Sequence, residues 1–456
     1  MVRSKGLFMF KVLISFLICG QVFAFSLSDV QKIKWDDLDV VYIPDERFPT
    51  YTLAIYFADG SLADGAVKGV TSAAFGLMKL GTRRYSQKDI ADNLEFFATD
   101  YGASVTHEST RFAVSGLVKD IKPSMKKICH MFRDVDYPLS DLRAELKRAK
   151  EGIANMINDK GSLASHLFRE ISLKGSPIDY PVGGKLRDLK RINRKVLKAK
   201  LNYFNNDVKK RIYITGPKAA LSIKNVISKD CGWTGKGEFV RTLPRPAKTA
   251  TPKIILVTVP KANQAQVRIG RLIEKSENLR DEDMSFIPAF LGGGFTSRLM
   301  RVLRTENGLV YSAGAAAAMQ KEYGRAFIST STANEKLEKL LNLTKKTIED
   351  IAAGNIPTSE LERSQGLLAS GYPFRFEKSD VFLSQLASLD HLGKSYNTLV
   401  TYPKRIYSMT KEDLSKGMKD IYSWDKQTIF VLGTIGLKKT LSKFGKVKVI
   451  PYKNLM

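Results

Sequence analysis

Laid against itself, the chain matches at four places with nearly one spacing, and this repeat restricts its fold more than any other feature. Val40-Val41-Tyr42-Ile43-Pro44 is echoed by Leu256-Val257-Thr258-Val259-Pro260, so that Pro260 answers Pro44. Phe112-Ala113-Val114-Ser115 returns as Phe327-Ile328-Ser329-Thr330, and the helix start Pro138-Leu139-Ser140 as Pro357-Thr358-Ser359. Arg211-Ile212-Tyr213-Ile214-Thr215-Gly216 completes the series with Thr428-Ile429-Phe430-Val431-Leu432-Gly433. Both copies run strand, helix, strands, amphipathic helices, strand. That order predicts an α+β chain of two homologous halves, each an antiparallel-rich sheet covered by helices.

Within the copies, Thr52-Leu53-Ala54-Ile55-Tyr56-Phe57 and Arg111-Phe112-Ala113-Val114-Ser115-Gly116-Leu117 alternate as half-buried strands do. Met125, Ile128, Cys129 and Phe132 fall on helical spacing, as do Leu337, Leu340, Leu341 and the Leu343-Thr344 pair. Pro244, Pro246 and Pro252 stand among small polar residues and break any regular element. Residues 242–252 are therefore expected to link an N-terminal domain, 25–241, to a C-terminal domain, 253–456.

The first residues predict export. Arg3, Lys5 and Lys11 flank or precede an apolar stretch from Val12 to Cys19, and Val22-Phe23-Ala24 supplies the small-residue pattern of a cleavage site. The run is too short to span a bilayer, so residues 1–24 read as a signal peptide cut after Ala24, leaving a periplasmic or secreted chain. Phe16, Leu17 and Ile18 are too bulky for lipid attachment at Cys19. With 43% hydrophobic residues and no Pro/Ser/Gly-rich tract, the remainder has the material for sizeable cores. Only Cys129 and Cys231 remain after cleavage. An oxidising compartment would let them pair, whereas two cysteines so far apart in a large chain are more often buried singly, and single burial is the expectation.

The net charge of +27 falls to +24 once Arg3, Lys5 and Lys11 are removed, and the excess is densest from Lys190 to Arg211, where Asp207 is the one acid. A solvated helical face explains this run, followed by an acidic partner or association with an anionic envelope surface. Nucleic acid is set aside, because no binding signature accompanies the charge.

One segment carries chemistry. In Leu291 to Ser312, LGGGFTSRLMRVLRTENGLVYS, three glycines let the backbone turn closely, Thr296 or Ser297 can cap, and Leu299, Val302 and Leu303 form one apolar helical face. Gly308 offers a left-handed stop, and Leu309 to Ala313 read as a strand. Arg304 then lies in the last helical turn and Tyr311 early on the strand, so that both side chains can enter one cleft. An isolated pair of this kind is usually an arginine at a helix C-terminus over a packed tyrosine.

The whole string, however, resembles the C-terminal-domain signature of the insulinase/pitrilysin peptidase family, and the tandem repeat fits that family's layout over nearly the whole mature chain. The resemblance implies that Arg304 holds a substrate backbone carbonyl and that Tyr311 donates to the oxyanion, both across a closed chamber from a zinc site. It also implies an inverted motif, H-x-x-E-H, on a first-half helix, with a distant glutamate completing the ligand set. The matching string is GVTSAAFGLMKLGT, Gly69 to Thr82, in which Ser72, Phe75 and Gly76 stand where His, Glu and His belong. Glu151 lies about where the distant ligand would fall, although beside Lys147 and Lys150 it reads as a solvated helix residue. His107, His130, His166 and His391 offer no substitute by spacing, and there is neither a G-x-S-x-G elbow nor a phosphate loop.

The resemblance thus implies a non-catalytic subunit, with no cofactor and no metal of its own. Zinc would be expected in an H-x-x-E-H partner of similar length, and the substrate would be an extended peptide bound between the two chains. The alternative is a non-enzymatic structural or peptide-binding scaffold of the same fold, in which Arg304 and Tyr311 are relics.

Overall fold

The computed structural model describes residues 27–237 and 254–455. The signal peptide expected at 1–24 and the proline-bearing linker expected at 242–252 lie outside the described residues. Two six-stranded mixed sheets dominate. The first joins β1 (Gln31–Trp35), β2 (Leu38–Pro44), β3 (Thr50–Phe57), β4 (Asp100–Val105), β5 (Thr110–Leu117) and β6 (Lys210–Gly216) in the order β1-β2-β6-β3-β5-β4. The second joins β7 (Ile254–Thr258), β8 (Gln264–Glu274), β9 (Ala313–Met319), β10 (Tyr323–Ala333), β11 (Thr428–Gly433) and β12 (Val447–Pro451) in the order β12-β7-β11-β8-β10-β9. The repeats therefore correspond strand for strand: β2 and β7 each run parallel to their neighbour, β6 or β11, and the next three pairings are antiparallel. They differ at one edge, where β1 is antiparallel to β2 but β12 is parallel to β7. Pro138 and Pro357 cap equivalent helices, Leu139–Met156 and Thr358–Gly371.

The strand alternation feeds two cores rather than one. Leu53, Ile55 and Phe57 of β3 enter the main core of the first half, beneath helices Val70–Leu77, Ile121–Arg133 and Arg194–Asn206. Ala54 and Tyr56 point the other way, into a separate apolar layer. Expected to be half-buried, β3 is buried on both faces, which is why it reads as a nearly continuous apolar run.

What covers the second face comes from the opposite half. Phe382, Leu383 and Leu386 of helix Ser379–Leu392 pack on Val41, Ile43 and Tyr213 of the first sheet. Reciprocally, Leu163, Leu167 and Phe168 of helix Lys160–Ser172 pack on Ile255, Val257, Phe430 and Leu432 of the second. Each of the two helices follows the one that Pro138 or Pro357 opens, so the exchange obeys the repeat. Polar contacts lock it. Asp390 accepts from the Tyr213 and Tyr396 hydroxyls at 2.7 and 2.6 Å and pairs with Arg211 at 2.9 Å, while Arg268 of β8 donates to the Gly161 carbonyl and the Ser165 hydroxyl, each at 3.0 Å.

Two expectations are corrected here. Cys129 and Cys231 form a disulfide with Cα atoms 4.5 Å apart across 102 residues, because helix Ile121–Arg133 packs directly against the turn Val226–Cys231. The basic run is also not simply a solvated face. Arg194 and Lys198 pair with Asp136, and Arg211 with Asp390 and Asp39, acids that lie far away in sequence.

Lys210 in the same run is 1% exposed, and its Nζ donates to the Val208 carbonyl at 2.8 Å beneath the Phe57 ring. Burial pulls its pKa from 10.5 down to about 8, with Asp207 opposing. Below about 8 both folded and unfolded chains carry the proton and the full cost of burying the charge is present. Between 8 and 10.5 the unfolded chain binds more protons, so stability rises with pH. Lys210→Met is accordingly expected to raise stability at neutral pH by about 1–3 kcal/mol. Urea unfolding should show that gain shrinking as pH climbs past 8; a constant gain, or a loss, would contradict the assignment.

Candidate functional site

The segment matching the zinc motif begins at Gly69, whose φ is +82° and where a Cβ would lie 2.4 Å from the Gly183 carbonyl oxygen, so no side chain fits. Asp64 receives the N–H groups of Gly69 and Thr71 at 2.6 and 2.9 Å, anchoring the start of helix Val70–Leu77. Ser72 and Gly76 share one face of this helix and line a cavity of about 740 Å³. Phe75 points away from it. Its ring lies 5.1, 5.5 and 5.9 Å from those of Phe204, Phe57 and Phe132, inside the first-half core. A hydroxyl, a phenyl ring and a glycine supply neither the imidazole pair nor the base of a zinc site, so these residues do not fit the metal. Among the described residues, no three of His, Cys, Asp or Glu converge as a metal site.

Glu151 does not reach the cavity either. It is exposed on helix Leu139–Met156, whose cavity-facing side carries Glu145, Leu146, Ala149 and Ile153 instead. The far wall comes from helix Lys160–Ser172. Here His166 Nε2 lies 3.1 Å from Glu170 Oε1, while Lys185 Nζ lies 2.5 Å from Glu170 Oε2. From sequence, His166 is set aside by its spacing from the other histidines, and Arg169 and Glu170 are not singled out; the spacing of His166 and Glu170 by one helical turn is the available signal.

The Arg-Tyr segment begins where helix Asp281–Gly292 ends. A Cβ on Gly292 would sit 2.3 Å from the Ala315 backbone nitrogen, so the glycine is required for the helix to meet β9. The following turn, Met300–Glu306, is π-helical, a widening found often at functional sites. Ser297 does not cap it, since its hydroxyl donates to the Gly294 carbonyl at 2.7 Å. Gly308 does adopt the left-handed conformation, at φ +57°. The strand expected from Leu309 starts only at Ala313, because the Leu309 N–H is used by the Leu303 carbonyl at 2.9 Å while Leu309 and Val310 sink into the core.

Tyr311 consequently stands on a bend, 84% exposed, and Phe295 opposite it is 80% exposed. The Arg304 guanidinium lies 5.3 Å from the Tyr311 ring centroid and 5.4 Å from that of Phe295. Arg298 and Arg301 of the same segment are tied to Glu360 at 2.6 and 2.9 Å. Arg304 makes no ion pair with any described residue, leaving a rigid fork of donors presented outward between two rings. Neither Arg304 nor Tyr311 lines the cavity at Ser72 and Gly76.

Comparison with known proteins agrees with this reading of the fold. Residues 212–368, which straddle the two halves, match the family described as Peptidase M16 inactive domain. A Streptomyces coelicolor protein named as an uncharacterized zinc protease is 20% identical over 398 residues, covering 84% of this chain and 82% of its own. The non-peptidase homolog YmxG of Helicobacter pylori is also 20% identical, covering 85% and 90%. Among solved structures, a peptidase M16 inactive domain from Pseudomonas fluorescens superimposes with a TM-score of 0.79 at 19% identity, covering 89% of this chain and 98% of that one. A Helicobacter pylori protease gives 0.73 at 15% identity, covering 90% and 100%. The chain is thus similar to the Peptidase M16 inactive domain in sequence across the junction of its halves, and it shares the fold of M16 domain structures along most of its length.

Proposed function

We propose that this chain is the non-catalytic subunit of an exported, two-chain zinc peptidase, supplying Arg304 and Tyr311 to the active site of a partner that carries H-x-x-E-H. The observation that carries the reading is the contrast within one segment: Arg298 and Arg301 are bound to Glu360, while Arg304 has no ion pair among the described residues and is flanked by exposed Phe295 and Tyr311. Open donors held between two rings at a surface suit a substrate arriving from another chain. Arg304 would hold a peptide carbonyl before reaction, and the Tyr311 hydroxyl would donate to the oxygen on which negative charge develops. Zinc would reside with the partner, since Ser72, Phe75 and Gly76 cannot hold it. That a relative is named a non-peptidase homolog supports inactivity of the chain on its own.

Purification of the chain from its native envelope should therefore recover, in equal amount, a protein of similar length with the intact motif. In that complex Tyr311→Phe is expected to lower kcat by about 10²-fold to 10³-fold while assembly, followed by sedimentation, is unchanged. Arg304→Ala should raise KM as well. Wild-type kinetics from an assembled double variant would sink the role of the pair and favour a scaffold.

A further inference from the structure

The cavity beside Ser72 and Gly76 has the size of a ligand site, and a half-buried cation in its wall, Arg169, has no ion pair among the described residues. Its volume of about 740 Å³ lies in the range of small-molecule pockets, roughly 300–1,000 Å³. The walls are largely apolar, with Leu146, Ile153, Met156, Ile178, Val182 and Ile192 around the small floor residues of helix Val70–Leu77. At the polar end, most charges already have partners. Glu170 is held by Lys185 through Oε2, while its Oε1 lies 3.1 Å from His166 Nε2 without a hydrogen bond; Glu145 meets Arg148 at 2.5 Å, and Asp179 accepts the Gly175 N–H at 3.1 Å. Lys79 is exposed and forms no ion pair among the described residues; Arg169, less exposed, forms none either, and its Nε is buried without a hydrogen-bond partner.

We propose that this cavity binds an apolar body ending in a carboxylate, with Arg169 holding the carboxylate and the aliphatic walls holding the body. A half-buried cation without an acid is costly in proportion to its burial, and an incoming anion lowers that cost. The surroundings reinforce the sign. Arg325 of β10, half-buried from the other half of the chain, lies close enough for the two guanidinium charges to repel, and burial together with Arg169 lowers the Arg325 pKa to about 10. Burial also lowers the pKa of Arg169 itself. A lone inorganic anion would leave the apolar walls bare. The ligand class is therefore a carboxylate on hydrocarbon, which the C-terminal end of an apolar peptide and a fatty acid both present. The small residues Ser72 and Gly76 leave the room: a Cβ added at Gly76 would meet nothing within 4 Å. The inference is independent of the role proposed for Arg304 and Tyr311, which lie outside this cavity.

Calorimetric titration of the full mature chain tests it with two pairs of probes, N-acetyl-Leu-Leu-Leu as free acid and as amide, and decanoate against decanol. At least one acid should bind, about tenfold to a hundredfold more tightly than its neutral counterpart. Binding of the peptide acid alone identifies a peptide terminus as the source of the carboxylate, and binding of decanoate alone identifies a lipid. Arg169→Met should abolish the preference for the acid. Gly76→Leu should fill the cavity and abolish binding without lowering the melting temperature, since leucine favours a helix more than glycine does. Equal binding of acid and neutral forms, no binding of either acid, or an acid preference that survives Arg169→Met would overturn the proposal.

Discussion

Residues 25–241 and 253–456, produced as separate chains, should each fail to fold, and should yield a soluble complex only when produced together. Each sheet depends on a helix from the other half. Without residues 253–456, Leu163, Leu167, Phe168 and Ile171 of helix Lys160–Ser172 lose Ile255, Val257, Phe430 and Leu432, while the first sheet loses Phe382, Leu383 and Leu386 from over Val41, Ile43 and Tyr213. Burial of a large apolar side chain contributes about 1.5–3 kcal/mol, so the four on that one helix represent about 6–12 kcal/mol. The whole stability of a domain is about 5–15 kcal/mol. Buried charges add to the loss, because Arg211 would lose Asp390 and Arg268 would lose the Gly161 and Ser165 oxygens. Size exclusion and near-ultraviolet circular dichroism provide the readout. A single half that is monomeric, native-like in its aromatic signal and cooperative in unfolding would refute this interdependence.

The repeat made the succession of strands and helices along each half and the equivalent helix starts at Pro138 and Pro357 legible, because hydrophobic periodicity and proline placement act locally. It could not show the helix exchange. The apolar stripe Leu163, Leu167, Phe168 says that one face is buried but not against which sheet, and the same stripe would suit a helix lying on its own half. The misplaced strand at Leu309 has a similar cause: Leu309-Val310 has the composition of a strand, but the backbone N–H it would need is already spent on the helix C-cap. Arg304 and Tyr311 were legible from a contiguous signature. Phe295, in the same string, was passed over because its position opposite Tyr311 appears only when the glycine turn is folded. The cavity was hidden for a different reason, being defined by how little Ser72 and Gly76 fill the space beside them.

Phe75 stands where the family resemblance would place a general base, and it belongs to an aromatic cluster with Phe57, Phe132 and Phe204. A carboxylate there would meet rings instead of a metal-bound water, at a desolvation cost of several kcal/mol. The same side chain thus contributes to the stability of the first half and leaves no carboxylate at this position of helix Val70–Leu77.

The same core is fastened by the Cys129–Cys231 disulfide, and its removal should produce the second large effect. The bond closes a loop spanning 102 residues, which contains β6 and most first-half helices, and it ties helix Ile121–Arg133 to the turn ending at Cys231. A crosslink across a loop of about 100 residues lowers the entropy of the unfolded chain by about 4.7 kcal/mol in the chain-entropy model, and native bridges commonly contribute about 2–5 kcal/mol. Cys129→Ala with Cys231→Ala should therefore lose about 2–5 kcal/mol in urea unfolding, with little change in the folded state because both sulfurs are buried in the core that holds Phe132 and Trp233. Reductant should lower the midpoint of the wild-type chain toward that of the variant and leave the variant unmoved. Thiol titration of the mature wild-type chain, unfolded without reductant, should detect no free sulfhydryl. Two titratable thiols, or a double variant as stable as the oxidised wild type, would show that the bridge does not hold this half together.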